Sequence, residues 1–244
     1  FNFNYKDKNL EIINLKLKYK DTNFNSQNIN VNLKNNLIKI KGNFNNKSNL
    51  NLLSSFLNNN IKNYLDNDIL LLTKSDFELN FNNKFKIINY KLNSRIEFND
   101  LNIKLKNLNL KKHITNFENK IILKNGKINF KIDNQNKIET EINSNYVFTD
   151  KNKPKEFSFK YVKSNSDEKY KFNIDLNSSE IILDDINFKK KENEELFLTL
   201  VAVKKRNKFE IKNLKLFNNK NTFNLKNIKF GKDFHISDFN LIAA

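Results

Sequence analysis

The sequence predicts an all-β chain: an elongated, strongly curved antiparallel sheet, an open β-groove of U-shaped section, with one short amphipathic helix. Three observations carry this reading. Apolar and polar residues alternate with period two along most of the 244 residues, which in a strand sends the apolar side chains to one face. Clusters of Asn, Asp, Ser and Lys interrupt these runs at the spacing of meandering strands. Only one stretch shows helical spacing instead.

From the N-terminus, Ile13-Asn14-Leu15-Lys16-Leu17-Lys18-Tyr19 reads as an unbroken strand, followed by Ile29-Asn30-Val31-Asn32-Leu33. The pattern returns in Phe77 to Phe81, Leu101 to Leu105, Ile128 to Ile132, Phe157 to Tyr161, Tyr170 to Leu176 and Phe223 to Leu225. Turns are expected at Asn25 to Asn28, Asn82 to Lys84, Asp133 to Lys137 and Asn218 to Asn221. Asn serves there in place of Gly because it tolerates a left-handed backbone. Asn125-Gly126 predicts a two-residue hairpin between Ile121-Ile122-Leu123 and Ile128-Asn129-Phe130. Thr149 to Glu156, around Pro154, reads as a loop.

From Ser48 to Asp66 the apolar residues Leu50, Leu53, Phe56, Leu57, Ile61, Tyr64 and Leu65 recur mostly three or four apart, the spacing of an amphipathic helix with Ser48 as its N-cap. The organisation expected is therefore groove strands over 1–46, the helix over 47–67 and further groove strands over 68–244. Phe1 in place of an initiating Met, and a last strand-like run ending at Ala244, read as a piece of a longer polypeptide.

The formal net charge is +17, from 44 basic and 27 acidic residues. The lysines alternate with apolar residues almost from end to end, so they read as a solvated sheet face and not as a concentrated nucleic-acid site. Bias toward AT-rich codons explains part of the Lys and Asn excess. Without cysteine there is neither a disulfide nor a thiolate zinc site, and two histidines, His113 and His235, do not make a metal set. No apolar run reaches the ~20 residues of a membrane-spanning helix. The acid pairs Asp184-Asp185 and Glu194-Glu195 read as solvated turn residues, and His113 beside Lys111 and Lys112 as a surface residue. Ser54 and Ser55 have no base nearby in sequence. No phosphate loop, nucleophile elbow or metalloprotease motif is present. The chain is read as not an enzyme and as requiring no cofactor.

A sheet with one apolar face must bury it, and one helix is too small a cover. A sheet curled on itself would leave a long apolar trough suited to hydrocarbon, which gains about 25 cal/mol per Å² without any polar partner. The candidate groove-lining residues are Leu15, Leu17, Phe77, Leu79, Phe81, Leu101, Ile103, Leu105, Ile128, Phe130, Phe157, Phe159, Phe172, Ile174, Leu196, Leu198, Leu200, Phe223 and Leu225. The competing readings are a structural or adhesive cell-surface β protein with a sealed core and, less favoured, an outer-membrane barrel.

Two patterns carry a resemblance. Leu50 to Asp66, with Leu52-Leu53-Ser54-Ser55-Phe56-Leu57, is followed by Phe77-Glu78-Leu79-Asn80-Phe81 and by the run from Ile87 to Leu105. Later come Ser179 to Ile186, Glu195 to Leu200, Phe209 to Leu214 and Phe223 to Phe230. Together they resemble YhdP-type proteins of the AsmA-like superfamily. The resemblance implies a bridge-like lipid transfer protein, anchored in the inner membrane of Gram-negative bacteria by a segment outside this chain and spanning the periplasm. Its implied partners are phospholipid acyl chains moving toward the outer membrane, the membrane itself and unidentified envelope proteins, with no nucleic acid. The scarcity of Gly and Pro departs from better-known members.

Overall fold

The structure, a computed structural model, describes residues 1–19, 22–49, 65, 69–105, 110–115, 117–149, 153–184, 188–206, 208–230 and 236–243. The strands are β1 (Asn2–Lys6), β2 (Asn9–Tyr19), β3 (Thr22–Lys34), β4 (Leu37–Asn49), β5 (Leu70–Phe81), β6 (Ile87–Lys104), β7 (Lys120–Asp133), β8 (Ile138–Val147), β9 (Lys155–Ser164) and β10 (Asp167–Asp175). They continue with β11 (Ile181–Leu183), β12 (Phe188–Lys190), β13 (Phe197–Lys205), β14 (Lys208–Phe217), β15 (Thr222–Phe230) and β16 (Ile236–Ala243).

Fourteen of these strands form one antiparallel sheet in chain order, from β1 to β10 and then β13 to β16, with β11 and β12 paired separately as a two-stranded sheet. The large sheet is not closed into a barrel, because β1 and β16 are its two edges.

Strands that alternate in sequence must also alternate in connection. One rim carries tight turns. At Asp7-Lys8 and at Asn35-Asn36 both residues have positive φ, the geometry that matches a two-residue turn to the twist of its strands. Asn82 caps the next turn, accepting through Oδ1 from the backbone N–H of Lys84 and of Lys86, each at 3.0 Å. Asp133 does the same for Gln135 and Lys137. These short polar side chains bond the backbone that the turn leaves unpaired. The opposite rim carries the long connections, 50–69, 105–119 and 176–196.

Two expected turns are absent because the strands run through them. Asn125-Gly126 lies inside β7, where the pairing of β7 with β8 shifts between Lys124 and Lys127. Asn125 has φ 52°, so the left-handed freedom that suggested a hairpin is used for a bulge. Residues 25 to 28 lie inside β3, again at a register shift. A further bulge overturns the unbroken alternation read for β2. Asn14 has φ 56°, and β3 shifts register against β4 between Asn25 and Ile29, which puts Asn28 and Ser26, the partners of Ile13 and Leu15, on opposite faces, so Ile13 faces away from Leu15 and Leu17.

The expected helix over 47–67 falls mostly on residues 50–64, which lie outside the described residues. Its two ends are β structure. The supposed N-cap Ser48 is buried in β4 opposite Leu71, and Leu65 makes an antiparallel bridge to Ile103. Among the described residues there is no α-helix; a 3-10 turn lies at Leu110–Lys112.

Gly126 sits directly opposite Phe98, whose ring lies over it, so that a Cβ there would overlap the ring. Phe98 is itself buried and has little room to yield. Replacing Gly126 with Ala should therefore cost about 1–3 kcal/mol in urea unfolding. Adding Phe98→Leu to that variant should recover part of the loss, and strict additivity of the two changes would contradict the contact.

Candidate functional site

Following the register from strand to strand assigns every residue to a face. Leu15 and Leu17 share a face with Phe24 of β3, and through Asn46 and Thr73 with Ile96 of β6. Phe77, Leu79 and Phe81 lie on it opposite Gly42, Ile40 and Ile38. Ile128 and Phe130 join opposite Ile96 and Ser94, and Leu101 and Ile103 opposite Leu123 and Ile121. Across the second half, Phe157 and Phe159 meet Ile174 and Phe172, these meet Leu198 and Leu200, and Leu216 and Leu214 lead on to Phe223 and Leu225. Leu105 and Leu196 flank the strand ends and pack with the same cluster. The structure thus brings all the candidate residues onto one face of one sheet.

Their surroundings differ. At the rim of long connections a strap crosses this face. The 105–119 connection meets the 176–196 connection through an Ile114–Ile181 bridge, with Thr115 N donating to Glu180 O at 3.1 Å and Ile182 N to His113 O at 2.8 Å. His113 Nδ1 also lies 3.2 Å from Ile182 O, so His113 is a half-buried member of the strap and not the surface residue expected.

Beneath the strap is a true core. Phe117, Leu123 and Tyr146 are fully buried, with Phe148 packed edge-on against Phe117 at 5.2 Å and against Tyr146 at 5.1 Å. The Tyr146 hydroxyl donates to the carbonyl of Asp175 at 2.5 Å, and burial, with the nearby Asp175 charge, keeps it protonated far above its usual range. Leu101, Ile174 and Leu196 are buried in this core, and Ile103, Leu105, Ile128, Phe157, Phe172 and Leu198 pack against it. Each fully buried side chain of this size is worth about 1.5–3 kcal/mol.

Away from the strap the same face is only half covered. Phe77, Leu79, Phe81, Phe130, Phe159, Leu200, Phe223 and Leu225 are half-buried, and at the β1 edge Phe3 is 64% and Leu17 57% exposed. Residues that the sequence patterns did not single out complete it, among them Leu10, Ile12, Ile40, Leu92, Ile142 and Leu214. Their signal was the same alternation, counted from the bulges instead of through them.

The other face is mostly polar, with apolar exceptions such as Leu72, Val162 and the stacked pair Phe197 and Phe217. Glu78 lies 2.8 Å from Lys39 and 3.1 Å from Lys41, and the hydrogen bond from Lys39, helped by Lys41, holds its carboxyl below the usual range. Such exposed pairs add little stability. Cavities of about 590 and 510 Å³ open among polar side chains of this face, such as Asn143, Ser158, Asn173 and Thr199 in the first, and Lys74, Arg95, Glu139 and Lys160 in the second. Among the described residues no group of His, Asp and Glu is arranged to hold a metal. Comparison with known protein families, curated proteins and solved structures finds no match.

Lys190 anchors the strap. It is buried, and its ammonium donates to the carbonyls of Ser179 at 2.6 Å, Lys191 at 2.9 Å and Asn177 at 3.2 Å. Burial pushes its pKa below the usual lysine range. Lys190→Met should lower stability by about 1–3 kcal/mol, since buried carbonyls lose their donor. The exposed neighbour change Lys191→Met should be near neutral, and equal effects in a urea titration would contradict the anchoring role.

Proposed function

We propose that this chain carries lipid acyl chains along the apolar face of its sheet, as one section of a non-enzymatic, bridge-like conduit for phospholipids in the periplasm. One observation supports the reading above the rest: a single face stays mainly apolar in register through β1 to β15, broken by polar residues such as Asn46, Thr73, Ser75 and Ser94, yet outside the strap it lies half open. A soluble monomer rarely leaves a contiguous apolar patch of more than a few hundred Å² uncovered unless the patch binds something. Fourteen strands spaced about 4.8 Å apart make a strip about 60 Å long, and its width from mid-strand to rim suits an acyl chain of about 15 Å, half a bilayer's hydrocarbon core.

The open, curved, U-shaped groove belongs to this proposal. Bulges in β2, β3, β6, β7, β14 and β15 supply the bends such a section needs, because a bulged strand turns and twists locally. Anchorage in the inner membrane and delivery toward the outer membrane rest on the resemblance to AsmA-like proteins. The competing reading, a structural β protein with a sealed core, is favoured only by the strapped rim. The described residues include no second large sheet to seal the remainder.

The chain, purified without detergent, should retain phospholipid in native mass spectrometry. Aspartate belongs in the open part of the face, since Leu101 is buried in the strapped core. Phe77→Asp, Phe130→Asp and Phe159→Asp together should lower bound lipid at least about tenfold, because each removes ~1.5–3 kcal/mol of apolar contact. Circular dichroism should still report β structure. A wild-type chain that neither retains nor takes up lipid would sink the proposal.

A further inference from the structure

The apolar face carries almost no charge, and its exceptions are not scattered. Among the described residues of β1 to β15, the register places only Lys155, Lys163, Glu168 and Lys204 there as acidic or basic side chains. The whole chain holds 44 basic and 27 acidic residues, so the exclusion from this face is severe. Lys155 stands apart, opposite Tyr146 and 4.0 Å from Asp175. The others form one row: Lys163 of β9 lies directly opposite Glu168 of β10, which lies directly opposite Lys204 of β13.

The row borders the tight turn at Asn165-Ser166, on the rim away from the strap. Glu168 accepts a hydrogen bond from the Tyr170 hydroxyl, and its Oε1 is 3.5 Å from Lys204 Nζ. The Tyr170 hydrogen bond first, then Lys204 and the more distant Lys163, hold its carboxyl below the usual range. Among the described residues Lys163 forms no ion pair, so two cations face one anion and the row keeps a net charge of +1. Beside it runs an aromatic strip, with Tyr161 5.2 Å from Tyr170, Tyr170 6.2 Å from Phe209 and Phe209 5.8 Å from Phe230. Further along the same strands come Phe159, Phe172 and Leu200, then Phe157, Ile174 and Leu198.

An internal ion pair accounts for Glu168 and Lys204. It does not account for Lys163, a second cation on a face kept free of charge over β1 to β8. The geometry points to a headgroup site, in which Lys163 and Lys204 hold the phosphate of a phospholipid whose acyl chains lie along Phe159, Phe172 and Leu200. The assignment rests on the lipid-carrying reading of this face. From Lys163 back to Phe159, the last residue of β9 on the open part of the face, the strand runs about 13 Å at ~3.3 Å per residue, close to the ~15 Å of an acyl chain. A lysine stem can cover apolar surface while its ammonium group stays in water, which is how such side chains settle at a hydrocarbon boundary.

The test uses the intact chain with fluorescent phosphatidylglycerol and with diacylglycerol bearing the same acyl chains. K163Q/K204Q should weaken phosphatidylglycerol binding at least about tenfold, since two charged contacts are lost, and leave diacylglycerol binding unchanged. K160Q/K171Q removes the same charge from the opposite face of adjacent strands and should change neither. E168Q, which removes the competing anion, should tighten phosphatidylglycerol binding about fivefold. Equal losses in both double variants, or no loss in K163Q/K204Q, would overturn the headgroup site while leaving the lipid-carrying face intact. Failure of the wild type to bind either lipid would overturn that face as well.

Discussion

The structure depends on a phase relation. In an antiparallel sheet each residue opposite another shares its face, so an apolar surface persists from strand to strand only if every register agrees. A slip of one residue would turn the apolar set of the slipped strand to the other face. The bulges at Asn14 of β2, Asn125 of β7 and Asn227 of β15 use asparagine at positive φ to absorb an odd residue and restore the phase. They also bend the strands they interrupt, so one backbone device serves both the pattern and the shape.

A single sheet buries little on its own. The strap supplies what the sheet lacks, by placing Phe117, Ile181 and Phe188 over Leu123, Tyr146 and Ile174 and by tying its own backbone down through Lys190. Its position at one rim divides the face in two. Stability is concentrated where the long connections cross, and the remainder of the apolar face stays accessible. The separation of charge follows the same logic. Lysines and glutamates pair across strands on the polar face, as Lys39 and Lys41 do with Glu78, while the apolar face, Lys155 apart, tolerates one charged row at the rim opposite the strap.

Much of this was legible in the residues. Alternation identified the strands and the face of Phe77, Phe130, Phe159, Leu200 and Phe223, because period two is a local property of the backbone. The Asp133 and Asn218 turns were legible for a similar reason, since their side chains bond their own backbone. Asn125-Gly126 was misread because a hairpin and a bulge ask the same thing of the chain, and only the partner strand decides between them. Ile13 was misplaced for the same cause. Lys163 was within reach, two residues beyond Tyr161 on the same strand although Val162 inverts the alternation there, but Glu168 and Lys204 acquire meaning only as its neighbours in register.

Sequence alone determined that the chain is all-β, that one face is apolar and that the charge is spread over the other, since these follow from residue order along each strand. Tertiary structure decided which connections fold over the apolar face, that Lys190 is buried and His113 half-buried in the strap, and that a charged row forms on β9, β10 and β13. Those outcomes join residues distant in sequence: Ile114 meets Ile181, and Lys163 aligns with Lys204. The free energy of such meetings depends on burial and register, neither of which a local pattern contains.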